Sequence, residues 1–120
     1  MEVQIFGIKK SAETRKALRF FSERRVRAHF VDLTERTIAD GELQRFVQRF
    51  GIEALLDRGS RRFTELGLRH TQLSPARWFE RLIEEPMLLR LPLVRRLGQQ
   101  SDLTVGMSEE TWKLWTNSQQ

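Results

Sequence analysis

Val3-Gln4-Ile5-Phe6-Gly7-Ile8-Lys9-Lys10-Ser11-Ala12-Glu13-Thr14-Arg15-Lys16-Ala17 is the stretch that decides the fold. Val3 to Phe6 reads as a short apolar strand that stops at Gly7, and a basic turn follows. Thr14, Ala17, Leu18 and Phe21 then recur at i, i+3, i+4 and i+7, the spacing of a helix that buries one face; it is expected from about Ser11 to Arg24. The first free N–H groups of such a helix point at its leading side chain, and the helix dipole favours negative charge there. A cysteine at that point would be held as a nucleophilic thiolate. Ser11 is a good N-cap in the same place, but a hydroxyl without a neighbouring base is inert. The chain has no cysteine, so no other thiol can take over. Its two histidines, His29 and His70, lack the spacing of triad partners.

Composition bounds the remaining possibilities. The 120 residues are enough for one domain with an ordinary core, and 39% hydrophobic with 31% charged residues fits a folded chain. No apolar run approaches the ~18–20 residues of a membrane span. The chain enters a strand almost at once, which leaves no room for a leader, so a cytoplasmic protein is expected. Net charge is +5, with arginine strongly favoured over lysine. Arginine suits phosphate and carboxylate recognition through its flat donor fork. The charges are interspersed with acids, as on ordinary solvated faces, so nucleic acid is not the favoured partner; arginines gathered on one face would raise that possibility. Histidine and acidic residues nowhere show metal-ligand spacing, and Gly7 alone is no phosphate loop, so neither metal nor cofactor is expected.

Beyond the first helix, Val26 to Leu33 reads as a second strand in which Ala28 and Phe30 alternate with His29 and Val31. Gly41 stands near the start of a helix with Leu43, Phe46, Val47 and Phe50 on its buried face, and Gly51 is a natural stop. Ile52 to Leu56 and Arg62 to Leu66 are short helical pieces. Ser74-Pro75 opens another helix, serine as N-cap and proline in the first turn. Trp78, Phe79, Leu82 and Ile83 are its stripe, and Pro86 ends it. Leu93-Val94 and Leu103-Val105 are short strands of a hairpin through Gly98, before a final helix carrying Trp112 and Trp115. Those two tryptophans, three apart, are expected to pack on the sheet; the alternative, one buried and one exposed, would suggest a partner surface. The first strand–helix–strand unit implies a parallel pair.

Four segments, in order, resemble the arsenate reductase (ArsC) family, whose relatives include Spx-type transcriptional regulators and YffB-type proteins. The strand and Ser11-Ala12-Glu13-Thr14-Arg15 resemble its strand, turn and Cys-x-x-x-Arg helix start, with serine in place of the cysteine. Leu55-Leu56-Asp57-Arg58-Gly59-Ser60 is similar to its Leu-Leu-x-Arg segment. Glu85-Pro86-Met87-Leu88-Leu89-Arg90-Leu91-Pro92-Leu93-Val94 is similar to its "HPxLLxRPLV" segment. Val105-Gly106 before Ser108-Glu109-Glu110 resembles its closing strand and acidic helix start.

The resemblance implies a thioredoxin-like (glutaredoxin-like) α/β fold: a four-stranded mixed sheet with flanking helices and a helical lobe inserted at about 38–88 of a single domain over 1–120. It implies that Pro92 is cis and lies beside the start of the Ser11 helix. It also implies anion-binding candidates: Lys9, Lys10, Ser11 and Arg15 around the helix start, and Arg58, or Arg61 if the gap shifts the match. The residues themselves favour reading Arg15 as a surface cation and Ser11 as a cap. Leu91 stands where the reductases carry arginine, and Gly106 where they carry a second one; Spx-like and YffB-like members share that glycine. These departures fall on the chemistry. The expectation is therefore a non-catalytic binding or regulatory module with a protein partner, transcription machinery by resemblance to Spx. The alternatives are cysteine-independent, glutathione-assisted reductase chemistry and, last, nucleic-acid binding.

Overall fold

The computed structural model describes residues 1–98 and 102–117. The chain divides into two compact units, Met1–Arg36 with Leu91–Gln120, and Thr37–Arg90.

The first unit holds the sheet. Strand β1 (Glu2–Gly7) leads into helix α1 (Ala12–Glu23) and strand β2 (Arg27–Asp32). Helices α2 (Asp40–Phe50), α3 (Arg61–Glu65) and α4 (Pro75–Glu84) belong to the second unit. Strands β3 (Leu93–Leu97) and β4 (Leu103–Val105) and helix α5 (Glu109–Asn117) complete the first. The strand order is β2-β1-β3-β4. β1 runs parallel to β2, with Ile5 opposite Phe30, and antiparallel to β3, with Ile5 opposite Val94. β3 and β4 pair antiparallel, with Leu93 opposite Val105. This is the α/β sheet expected, and β3 extends three residues past Val94.

Strand alternation puts Val3 and Ile5 of β1 and Val94 of β3 on one face. There they join Ala17, Phe20 and Phe21 of α1 and Trp112 and Trp115 of α5 in one buried cluster. The Trp112 ring lies tilted against Phe20 and Phe21, 5.5 and 5.4 Å between centroids. Its indole N–H donates to Thr104 Oγ1 at 2.9 Å, so the polar edge of a fully buried ring is satisfied. Truncating such a ring to alanine costs about 3–5 kcal/mol. Both tryptophans are buried against the sheet, the favoured of the two expectations; Leu114, between them, is 69% exposed. A helix turn of 100° per residue puts 112 and 115 on one side and 114 on the other.

Two local devices fix α1. Gly7 ends β1 against the helix: a Cβ there would sit 2.5 Å from Thr14 Cγ2 and Oγ1, so strand and helix approach this closely only with glycine. At the other end Val26 N–H donates to Phe21 O at 2.9 Å and Arg25 N–H to Ser22 O at 3.1 Å. Arg25 holds φ 57°, the left-handed conformation that a helix stop of this kind normally gives to glycine.

The second unit is closed by its own backbone ties. Arg90 N–H donates to Leu55 O, Asp57 N–H to Leu88 O, and Leu56 and Leu89 form an antiparallel bridge. Ser60 and Ser74 cap α3 and α4 by accepting from Phe63 N–H and Arg77 N–H. Gly51, at φ 83°, ends α2 as expected. Phe63 and Trp78 pack at 5.8 Å. The expected stripes are narrower in fact. Leu43 and Phe46 are buried on α2 while Phe50, in its last turn, is 38% exposed. On α4, Trp78 and Leu82 are buried, Phe79 and Ile83 only half-buried.

Candidate functional site

The turn after β1 is closed by Ser11 N–H donating to Ile8 O at 3.1 Å. Ser11 then adopts extended dihedrals, φ −74° and ψ 119°, and its Oγ accepts Thr14 N–H at 3.1 Å. This is an N-cap: the hydroxyl oxygen stands in for the missing carbonyl of the preceding turn. Neither an imidazole nor a carboxylate contacts Ser11 Oγ among the described residues. His29 is engaged elsewhere, its Nε2 3.2 Å from Glu2 Oε1 on the exposed sheet edge, and His70 is in the second unit. The Ser11 hydroxyl therefore lacks the base that would activate it.

Around the cap, Arg15 folds back and donates from one terminal nitrogen to Lys9 O at 2.6 Å. Its guanidinium braces the turn from outside. Lys9 and Lys10 are exposed. The N–H groups of Ala12 and Glu13 have no acceptor among the described residues, as expected for the first turn of a helix. Asp32, at the end of β2, moderates the local field. The N–H and hydroxyl of Thr34 hold its carboxyl below the ordinary value, and the charge of Lys9 lowers it further.

The Leu91–Pro92 bond is cis. Leu93 pairs with Phe6, so Pro92 lies at the end of the sheet where β1 passes through Gly7 into the turn before Ser11. Pro92 is buried and its carbonyl accepts Gly106 N–H at 2.9 Å. Leu91 is also buried, 8% exposed, so an apolar side chain fills its position. Gly106 has φ 68°, which any other residue would hold under strain. Neither position offers an anion a charged donor.

Arg58 belongs to the second unit, and four of its five N–H donors are already in use. Nε donates to Glu53 Oε2 at 2.7 Å and one terminal nitrogen to Glu53 Oε1 at 3.0 Å. The other terminal nitrogen donates to Arg69 O and Thr71 O, each at 3.2 Å, and the guanidinium lies 5.3 Å from the Trp78 ring centre. The Glu53 bonds raise its pKa above an already high value. Arg61, the other register choice, opens α3 exposed and has no partner among the described residues. The structure thus gathers Lys9, Lys10, Ser11 and Arg15 in one turn and commits Arg58 to internal bonds.

One feature in each unit carried no clear sequence signal. Thr14 fits the buried stripe, but its Oγ1 is completely buried without a hydrogen-bond partner, pressed on Gly7. Glu53, which occupies Arg58, carried no signal beyond its spacing of five. No group of histidine, cysteine and acidic side chains that could hold a metal occurs among the described residues. No helix among them is long and apolar enough to cross a membrane.

A mixed sheet of order β2-β1-β3-β4, a helix start after β1 and a cis-proline opening β3 together define a thioredoxin-like α/β domain. The chain belongs to the ArsC family, whose model it matches over residues 6–114. Its fold is similar to that of a YFFB protein, with a TM-score of 0.81 over 93% of this chain and 96% of the other at 23% identity. It is also similar to an arsenate reductase from Vibrio cholerae, with 25% identity, a TM-score of 0.69, and 84% of this chain and 87% of that one covered. An arsenate reductase (ArsC) related protein from Brucella melitensis shares 26% identity at a TM-score of 0.68, with 96% and 94% covered. A comparison with curated proteins found no match.

Proposed function

We propose that this is a non-catalytic ArsC-family domain, a cytoplasmic binding or regulatory module that acts through a protein partner. One observation carries the reading. Ser11 Oγ spends its one contact on the Thr14 N–H, with neither base nor thiol beside it. A capped hydroxyl of that kind stabilises a helix and does not attack an oxyanion. The partner that resemblance to Spx suggests is the transcription machinery.

The second reading keeps a small anion at the helix start. The open N–H groups of Ala12 and Glu13, with Lys9 and Lys10 nearby, favour it. Reduction would then need two electrons from outside thiols such as glutathione, which would be oxidised to the disulfide. Direct nucleic-acid binding stays third.

An arsenate reductase assay with glutathione and glutaredoxin separates the first two. The expected result is no turnover above a no-enzyme control; turnover from cysteine-free protein purified away from host reductase would overturn the reading. Phosphate titration followed through the Ala12 and Glu13 amides reports on the anion, with roughly millimolar affinity, about −4 kcal/mol, as the expected strength.

A further inference from the structure

The net charge of the chain falls within one stretch of its sequence. Residues 9 to 25 hold seven basic side chains against Glu13 and Glu23, a surplus of five, which equals the whole net charge. The rest of the chain holds fourteen of each sign. Lys9, Lys10, Arg15, Lys16 and Arg19 are all exposed along α1 and the turn before it, and Arg24 and Arg25 at its end. Lys16 and Arg19 have no partner among the described residues.

A cavity of about 230 Å³ opens beside this row, within the first unit. Phe20 and Trp112, both buried in the core, reach its floor, and Met107, 44% exposed, forms a wall. Lys16 and Arg19 stand at its edge. Arg24 closes one side, its guanidinium carbon 3.7 Å from the Phe20 ring centre and a terminal nitrogen donating to Phe20 O at 3.1 Å. Arg24 is therefore part of the wall, and Lys16 and Arg19 are the cations left to meet a ligand.

We infer that this face of α1 docks an acidic segment of a partner protein that inserts one large apolar side chain into the cavity between Met107 and Arg24. A cavity with an exposed methionine wall and a charged edge has the anatomy of an anchor site, in which one buried side chain supplies most of the affinity and the surrounding charges set orientation and on-rate. The acids on the row argue for a peptide over a nucleic-acid backbone. Glu13 lies among the cations, and Glu23 and Glu109 border the cavity, so an evenly charged phosphate chain would pass carboxylates at intervals. A peptide can place its own acids opposite Lys16 and Arg19 only. The inference rests on the proposed partner-binding role and names the surface that serves it.

The test uses the full chain and three probes: a peptide of aspartate and glutamate around one central tryptophan, its Trp→Ser version, and a single-stranded RNA oligonucleotide. Amide NMR shifts locate binding. The acidic peptide is expected to move Lys16, Arg19, Phe20 and Met107, with affinity falling as salt rises. Lys16→Glu with Arg19→Glu should weaken it by roughly tenfold or more, and so should the Trp→Ser peptide. The two positions are exposed, so unchanged amide spectra elsewhere will show that the variant is folded; Met107→Ala reports on the cavity wall separately. Absence of these shifts, indifference to the charge reversal or the anchor, or RNA moving the same amides in place of the peptide would each overturn the inference. Reductase turnover would defeat the proposed function and leave this surface standing, so the two failures are distinguishable.

Discussion

Glu85 accepts from Arg62 twice, from Nε at 3.1 Å and from a terminal nitrogen at 2.8 Å, across 23 residues of chain. The pair ties the start of α3 to the residue that follows α4, where Glu85 N–H also closes the helix on Arg81 O. A fork-to-carboxylate contact fixes both side chains in one plane, so it orients as much as it attracts. In a lobe of short helices, where few residues lie between ends, such a cross-tie sets the spacing of the elements.

That geometry gives a pH dependence. Hydrogen bonds from Arg62 hold the Glu85 carboxyl below its ordinary 4.5, against a smaller upward push from burial. The folded pKa is thus depressed, and the unfolded state takes up the proton first. The contribution to stability is present above pH 4.5 and is lost as pH falls through the folded value. Glu85→Gln should therefore be less stable than the parent at neutral pH and equal to it in strong acid. Urea midpoints measured at both ends of that range will show whether the difference closes.

Ser11→Ala should lower stability by about 1 kcal/mol, because Thr14 N–H loses its acceptor and the first turn of α1 frays. Ser11→Asp keeps an acceptor and should hold most of it. Ser11→Cys provides a thiol at a helix start, yet buried, apolar Leu91 leaves an oxyanion one charged donor short, a lack that costs ~10²–10³ in rate. Its arsenate turnover should stay near background, and Ser11→Cys with Leu91→Arg should exceed it.

Thr14 and Gly7 form one steric unit. Gly7→Ala should cost about 1–3 kcal/mol through overpacking on the Thr14 side chain. Thr14→Val removes a buried hydroxyl with no hydrogen-bond partner and keeps the shape, so it should be neutral or stabilising by about 1 kcal/mol. Combining Gly7→Ala with Thr14→Ala should recover part of the loss, and a double-mutant cycle by chemical denaturation measures the coupling.

Arg25→Gly should stabilise the chain by roughly 0.5–1 kcal/mol, since glycine takes φ 57° without the crowding a Cβ brings. Arg25→Ala keeps the crowding and should gain nothing, which separates backbone relief from loss of a surface charge.

Much of this was legible along the chain. Alternation in Val3 to Phe6, the i, i+3, i+4, i+7 stripe through Phe21, and the serines at 11, 60 and 74 are local signals, each decided by residues within a turn or two, and each element formed where those signals lie. The missing thiol was equally plain, because composition alone excludes it. Partnerships were not legible. The resemblance made Arg58 an anion-binding candidate; that Glu53 and the carbonyls of Arg69 and Thr71 close on it is a matter of distances between segments and not of residue type. Trp115 turned inward beside Trp112 while Leu114 faced out, because helix phase against the sheet chose among three apolar side chains. Thr14 kept its place in the stripe, but only the close approach of Gly7 left its hydroxyl without an acceptor. Periodicity records which way a side chain points; what it meets there depends on other parts of the chain brought near by folding.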